Sequence, residues 1–226
     1  MPESRPSNAE TRRAPAHQQV YERLRDLVLF GDLAPGQPVT IQGLVARLGA
    51  GMTPVREAIR RLTSEGALEF QGNRRVCVPV LTSAHLEELM FARQAIEPKL
   101  TRKALERATE DDVQQLEKID KKLDEAIHKG DVGAYLKHNF EFHNRLYAIA
   151  DSPILTQLSH GLWLRFGPSL RVVCGRMGTQ SLPDQHKETL DAMRKGDADR
   201  AAEAIRKDVV QGMVQVREAL DLAGNP

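Results

Sequence analysis

The sequence predicts a mainly α protein in two parts: an N-terminal winged helix-turn-helix, helical with a small β-hairpin wing, and a C-terminal all-α antiparallel helical bundle. Three observations carry this expectation. Two amphipathic segments, residues 41–48 and the stretch beginning at Thr53, are separated by Gly49-Ala50-Gly51-Met52, the layout of two helices joined by a short glycine-bearing turn. Two strand-like segments, 67–70 and 75–80, then flank Gln71-Gly72-Asn73-Arg74 as a hairpin would. From Leu81 onward the strand signal disappears, and apolar residues recur at helical spacing with only short breaks between segments.

Taken in order, residues 18–30 place Val20, Leu24, Leu27 and Val28 on one face of a supporting helix, ended by Gly31-Asp32-Leu33-Ala34-Pro35-Gly36. Residues 41–48 turn Ile41, Leu44, Val45 and Leu48 inward. In the next helix Thr53 is the expected cap and Pro54 the expected first residue, where a missing N–H costs nothing. Val55, Ile59 and Leu62 share one face, while Thr53, Arg56 and Arg60 share another. One side can therefore pack while the other meets phosphates and bases. The candidate DNA-contacting residues are Gln42, Met52, Thr53, Arg56 and Arg60, with Gly72, Asn73 and Arg74 at the wing.

These segments resemble the GntR type of bacterial transcription regulator, through LAPGQPV, LVARLG and above all TPVREAIRRL. The resemblance implies that Arg56 contacts operator DNA, with Thr53 and the wing glycine Gly72 assisting. Charge agrees in sign: residues 1–80 hold 11 Lys plus Arg against 8 Asp plus Glu, so the DNA-facing part is the basic one. No apolar run long enough to span a membrane is present, and MPESRPSNAETRRA lacks the apolar core of a signal peptide, so a cytoplasmic protein is expected. Cys77 and Cys174 have neither metal-ligand nor disulfide-framework spacing and read as ordinary thiols. The expected organisation is a disordered arm over 1–14, the winged helix over 15–80, a linker over 81–85, the helical domain over 86–221 and a tail over 222–226.

Helices are predicted near 83–107, 109–129, 131–150, 153–174, 181–195 and 197–221, with Ser83 expected to cap the first. The most informative feature of this half is polar residues at apolar positions. On the helix from 131, Val132, Leu136, Asn139, His143, Leu146 and Ala150 form one stripe, so Asn139 and His143 point inward together. His186 stands midway between Leu182 and Leu190, and Asp208 lies between Ile205 and Gly212. Buried polar groups are costly unless satisfied. Two imidazoles, a carboxylate and an amide oxygen suit a divalent transition metal such as zinc, nickel or manganese.

This half resembles the FCD ligand-binding domain of the FadR subfamily, through the D-x-x-x-H-like segment from Asn139 to His143, through Gln185-His186, and through Arg93-Gln94-Ala95-Ile96-Glu97. Asp208 stands where the family has its final histidine. The resemblance implies a metal site of Asn139, His143, His186 and Asp208 and an effector pocket faced by Arg93, a candidate carboxylate clamp. A plain surface ion pair between Arg93 and Glu97 is the competing reading. Arg165 and Arg171 flank the stripe Trp163, Phe166, Leu170 and are further candidate anion contacts, while the stripe itself reads as core.

The expected function is a homodimeric, metabolite-responsive transcription repressor that binds a palindromic operator in double-stranded DNA and answers to a small carboxylate at a metal-containing pocket. The alternatives are a metal-only sensing regulator and a metal-dependent hydrolase or lyase fused to a winged helix. The enzyme reading has little support, since no His-Glu-x-x-His motif is present.

Overall fold

The structure is a computed structural model that describes residues 15–72, 74–177 and 184–222, the side chains at 176, 177 and 222 excepted. The arm over 1–14, Asn73, the expected helix start at 181–183 and residues 223–226 lie outside the described residues. Among the described residues twelve elements follow one another: α1 Ala16–Leu29, β1 Val39–Thr40, α2 Ile41–Leu48, α3 Met52–Ser64, β2 Glu69–Gln71, β3 Arg75–Cys77, α4 Ser83–Leu105, α5 Glu110–Lys129, α6 Val132–Ile149, α7 Pro153–Met177, α8 Gln185–Arg194 and α9 Ala198–Leu222. None of these helices is long and apolar enough to cross a membrane.

In the N-terminal half α1, α2 and α3 enclose Leu24, Val28, Leu44, Leu48, Val55, Ile59 and Leu62, all fully or almost fully buried. Burying one such side chain contributes roughly 1.5–3 kcal/mol, so this small core suffices to hold α3 in place. Thr40 caps α2 by accepting from the Gly43 amide, and Gly49 ends it in the left-handed region at φ 57°. The next helix starts two residues earlier than the sequence suggests. Gly51 is its N-cap and makes no side-chain cap, so Thr53 is a helical residue with its hydroxyl free of capping duty, and Pro54 occupies the third position.

The wing is a three-stranded antiparallel sheet in the order β1-β3-β2. Phe70 pairs with Val76 across the hairpin, and Val39 pairs with Val76 from the other side. Strand β1 is two residues long, too short for period-two alternation to reveal it. The hairpin strands are shorter than expected, because Ala67 and Leu68 sink into the core instead of extending the ladder. Burial pushes both thiols, Cys77 and Cys174, up to about 11, so neither is an activated nucleophile.

In the C-terminal half α4 packs mainly on α9, α5 on α6, and α8 on α9. The cap of α4 is Thr82, not Ser83: its hydroxyl accepts from the His85 amide while His85 Nδ1 accepts from the Thr82 amide. The stretch 81–85 is consequently not a free linker, since Leu81 is buried and Ser83 already belongs to α4. One apolar cluster runs from Leu24 and Val28 of α1 through Trp163 and Phe166 of α7 to Val209 and Met213 of α9, so a single core joins the two halves.

Candidate metal centre and nucleic-acid interface

His143 lies on the inward face of α6, His186 on the first turn of α8 and Asp208 in the middle of α9. Packing of α6 and α8 against neighbours they share brings the three together: one ligating atom from each falls within 4.8 Å of the others. His143 Nε2 is 3.0 Å from Asp208 Oδ2 and 3.2 Å from His186 Nε2. Both imidazoles are buried, while the Asp208 side chain keeps 22% of its surface open. Asn139, one turn before His143, lines a small cavity together with Asp208.

The far side of each ring decides what the near side can do. Tyr147 Oη donates its proton to Glu97 Oε2 at 2.6 Å, so it can only accept from His143 Nδ1, 2.9 Å away. That places the His143 proton on Nδ1 and leaves Nε2 with a lone pair. His186 Nδ1 faces the buried Asp120 Oδ1 at 3.5 Å, an electrostatic contact, since Asp120 Oδ1 makes no hydrogen bond. The carboxylate favours the Nδ1 proton there too. Three electron-pair donors therefore converge, and they require positive charge between them, a proton or a cation.

Electrostatics follow from the same contacts. Burial holds the His143 imidazole below its usual range despite the pull of Asp208. For His186 burial acts in the same direction, but Asp120 and Asp208 more than offset it and raise the ring. The Asp208 carboxyl meets an opposing burial effect and is nevertheless held at about 2 by His143, His186 and Arg93. It stays ionised throughout the physiological range.

Arg93 lines the same cavity but is not a free clamp. It is 1% exposed, its Nε donates to Glu97 Oε1 at 2.6 Å and its Nη2 to Glu97 Oε2 at 3.2 Å. Its guanidinium lies 4.4 Å from the Trp163 ring centre and 4.6 Å from that of Phe166. The pair with Glu97 exists, but deep in the bundle and not at the surface. Arg165 and Arg171 are not in the cavity at all. Arg165 Nε donates to the Glu65 carbonyl and Arg171 Nη1 to the Phe30 carbonyl, both in the N-terminal half, because their positions on α7 face the winged helix.

In the N-terminal half, Gln42, Met52, Thr53, Arg56 and Arg60 are all exposed, as are Gly72 and Arg74 on the wing. Gly72 takes φ 68°, the left-handed conformation that lets the hairpin turn tightly. Among the described residues neither Arg56 nor Arg60 has an ion-pair partner, whereas Arg61 is spent internally, bonded to Glu65 and stacked 3.6 Å over the Tyr21 ring. The two free guanidiniums stand on one face of a projecting helix, where phosphates and base edges can reach them.

Residues 16–78 match the bacterial regulatory proteins of the gntR family, and residues 88–210 match the FCD domain. The chain belongs to the GntR family and carries an FCD domain. The HTH-type transcriptional regulator McbR of Escherichia coli (strain K12) is 33% identical over 152 residues, 67% of this chain and 69% of its own length. The HTH-type transcriptional repressor RspR of the same organism is 27% identical over 210 residues, covering 91% of this chain and 89% of RspR. The solved structure of E. coli McbR/YncC superposes with a TM-score of 0.86 at 26% identity, over 92% of this chain and 99% of that one. This GntR-family protein is thus a DNA-binding transcription regulator and not an enzyme.

Two residues of the regulator's inner network escaped the sequence reading, Asp120 and Tyr147. Asp120 lies four residues after Leu116 and three before Leu123, a polar residue on the buried stripe of α5, which is the same signal that exposed His143. Tyr147 is one turn beyond His143 and passes as an ordinary aromatic core residue. Replacing Arg93 with Met leaves Glu97 charged and buried with only Tyr147 beside it. We expect a loss of about 3–5 kcal/mol in urea unfolding, and a loss below about 1 kcal/mol would mean the pair is solvated.

Proposed function

We propose that this regulator is a repressor that binds a palindromic operator as a homodimer and is modulated by a small organic acid held at a divalent metal ion. The observation that carries the metal is the convergence of His143 Nε2, His186 Nε2 and Asp208, with the opposite nitrogen of each ring already engaged by Tyr147 or facing Asp120. The donor set of two imidazoles, a carboxylate and the neighbouring Asn139 amide fits zinc, nickel or manganese. Such an ion would act as the Lewis acid that receives an effector carboxylate. Since Glu97 occupies Arg93, the metal and not the guanidinium is the anion-binding group.

A homodimer is supported by large apolar side chains on the helical half that stand in the open, Phe91 at 78% exposure and Ile154 at 75%. A single short recognition helix also reads too few base pairs to be selective, and a two-fold pair reads a palindrome. RspR, a relative over most of both chains, is named a transcriptional repressor.

Two measurements test this reading. In titrations of the chain's own promoter region, Arg56→Ala should weaken sequence-specific binding by about 1–3 kcal/mol; undiminished affinity would sink the assigned face. Elemental analysis of the purified protein should find close to one equivalent of a transition metal in the wild type and little in His143→Ala. No uptake by either when zinc, nickel or manganese is supplied would remove the ion from the account.

A further inference from the structure

Helix α7 touches both functional regions at once. Trp163, Phe166 and Leu170 line the cavity above the candidate metal centre. Counting about 100° per residue around a helix, Arg165 and Arg171 point away from that stripe and Gly167 lies at its flank, and all three meet the winged helix. Each of the two arginines sits on the C-terminal end of a DNA-domain helix. Arg165 Nε donates to the carbonyl of Glu65, the C-cap of α3, at 3.3 Å, and Arg171 Nη1 donates to the carbonyl of Phe30, the C-cap of α1, at 3.2 Å. Positive charge at a helix C-terminus satisfies orphan carbonyls and complements the helix dipole.

The fit at these ends leaves no slack. Gly66 and Gly31 follow the two caps with φ 72° and 68°. A Cβ at Gly66 would lie 2.5 Å from Arg165 Nη2, and one at Gly31 would lie 2.6 Å from Arg171 Cβ. Between the two arginines, a Cβ at Gly167 would lie 2.3 Å from the Leu29 carbonyl oxygen. A side chain at Gly167 or Gly31 would meet the Leu29 backbone or the Arg171 stem and prevent the approach, whereas at Gly66 it would meet the movable end of Arg165. On the cavity side the helix is packed against α4 and α9: the Arg93 guanidinium lies over the Trp163 and Phe166 rings, and Phe166 faces Gly212 of α9. Close-packed elements of this kind move as units and do not deform locally.

We propose that α7 is the coupling element of this regulator and that Arg165 and Arg171 are its positioning residues. Occupancy of the cavity moves Trp163 and Phe166, α7 follows, and the two arginines loosen or tighten their hold on the ends of α3 and α1, which sets the orientation of the recognition helix. The proposal rests on the reading of the cavity as the ligand site, while the arginine contacts belong to the helix ends whatever binds there.

Amide hydrogen exchange on the full chain tests it in two arms. In the first, without metal, Phe166→Leu changes a side chain that lines the cavity and leaves both arginine contacts in place. Exchange at residues 28–33 and 64–68 should change at least about fivefold, with α2 and α5 unaffected, and Leu170→Val should act in the same sense should Phe166→Leu fold poorly. In Arg165→Ala/Arg171→Ala those two turns should exchange rapidly from the start, and adding the cavity substitution should change them by less than about twofold. Unchanged turns in the single cavity variants, or a full response persisting without the arginines, would overturn the proposal. In the second arm nickel ion is the probe, and binding is read separately from the fluorescence of Trp163, the chain's single tryptophan, whose ring centre is 5.0 Å from that of His143. Nickel should bind wild type and the double arginine variant alike but alter the two turns only in wild type. Binding with no change at the turns in wild type would also overturn the coupling. Absence of binding would count against the metal reading alone and leave the first arm to decide.

Discussion

Arg93 and Glu97 carry full charges at 1% and 0% exposure, and a charge pair sealed from water must be satisfied by what encloses it. Burial opposes the guanidinium's charge, but Glu97 more than offsets that and holds Arg93 cationic. Two guanidinium nitrogens and the Tyr147 hydroxyl use the Glu97 carboxylate, and the rings of Trp163 and Phe166 cover the guanidinium. The consequences reach well beyond the pair. With its proton committed to Glu97, Tyr147 can only accept from His143, and His143 must then offer Nε2 to Asp208 and His186. One buried ion pair on α4 thereby sets the tautomer of a histidine on α6, and rings of α7 cover it.

The same enclosure ties the centre to the DNA-reading half. Trp163 and Phe166, which cover Arg93, belong to the helix whose arginines end α1 and α3, and the apolar core continues from them into the winged helix. The exposed guanidiniums of Arg56 and Arg60 stand roughly two and a half and one and a half turns from that junction along α3. A local change of charge or volume at the centre is thus presented to a rigid, continuous body.

Much of this was legible because helical and inward-facing patterns are written at short range. The turn from Gly49 to Gly51, the apolar face of Val55, Ile59 and Leu62, and the inward placement of Asn139, His143, His186 and Asp208 all follow from spacing alone. What spacing does not carry is the partner across the core. Arg93 and Glu97 are four apart on one helix whether they lie at the surface or inside, and only the rings brought by α7 distinguish the two. Arg165 and Arg171 read as anion contacts because charge near an aromatic stripe looks the same toward a cavity as toward a neighbouring helix end. The two-residue β1 and the cap at Thr82 were lost to brevity: either of two adjacent hydroxyls can cap, and tertiary packing chooses.

The central claim is that the lone pairs of His143 and His186 and the Asp208 carboxylate face one another in order to hold an ion. X-ray absorption at the metal edge of the purified, zinc-loaded regulator addresses it directly. The account predicts a first shell of nitrogen and oxygen at about 2.0–2.2 Å with the outer-shell scattering of two imidazole rings, reduced to one in His186→Ala. A shell containing sulfur, or one without ordered imidazole scattering, would place the ion elsewhere and contradict the account.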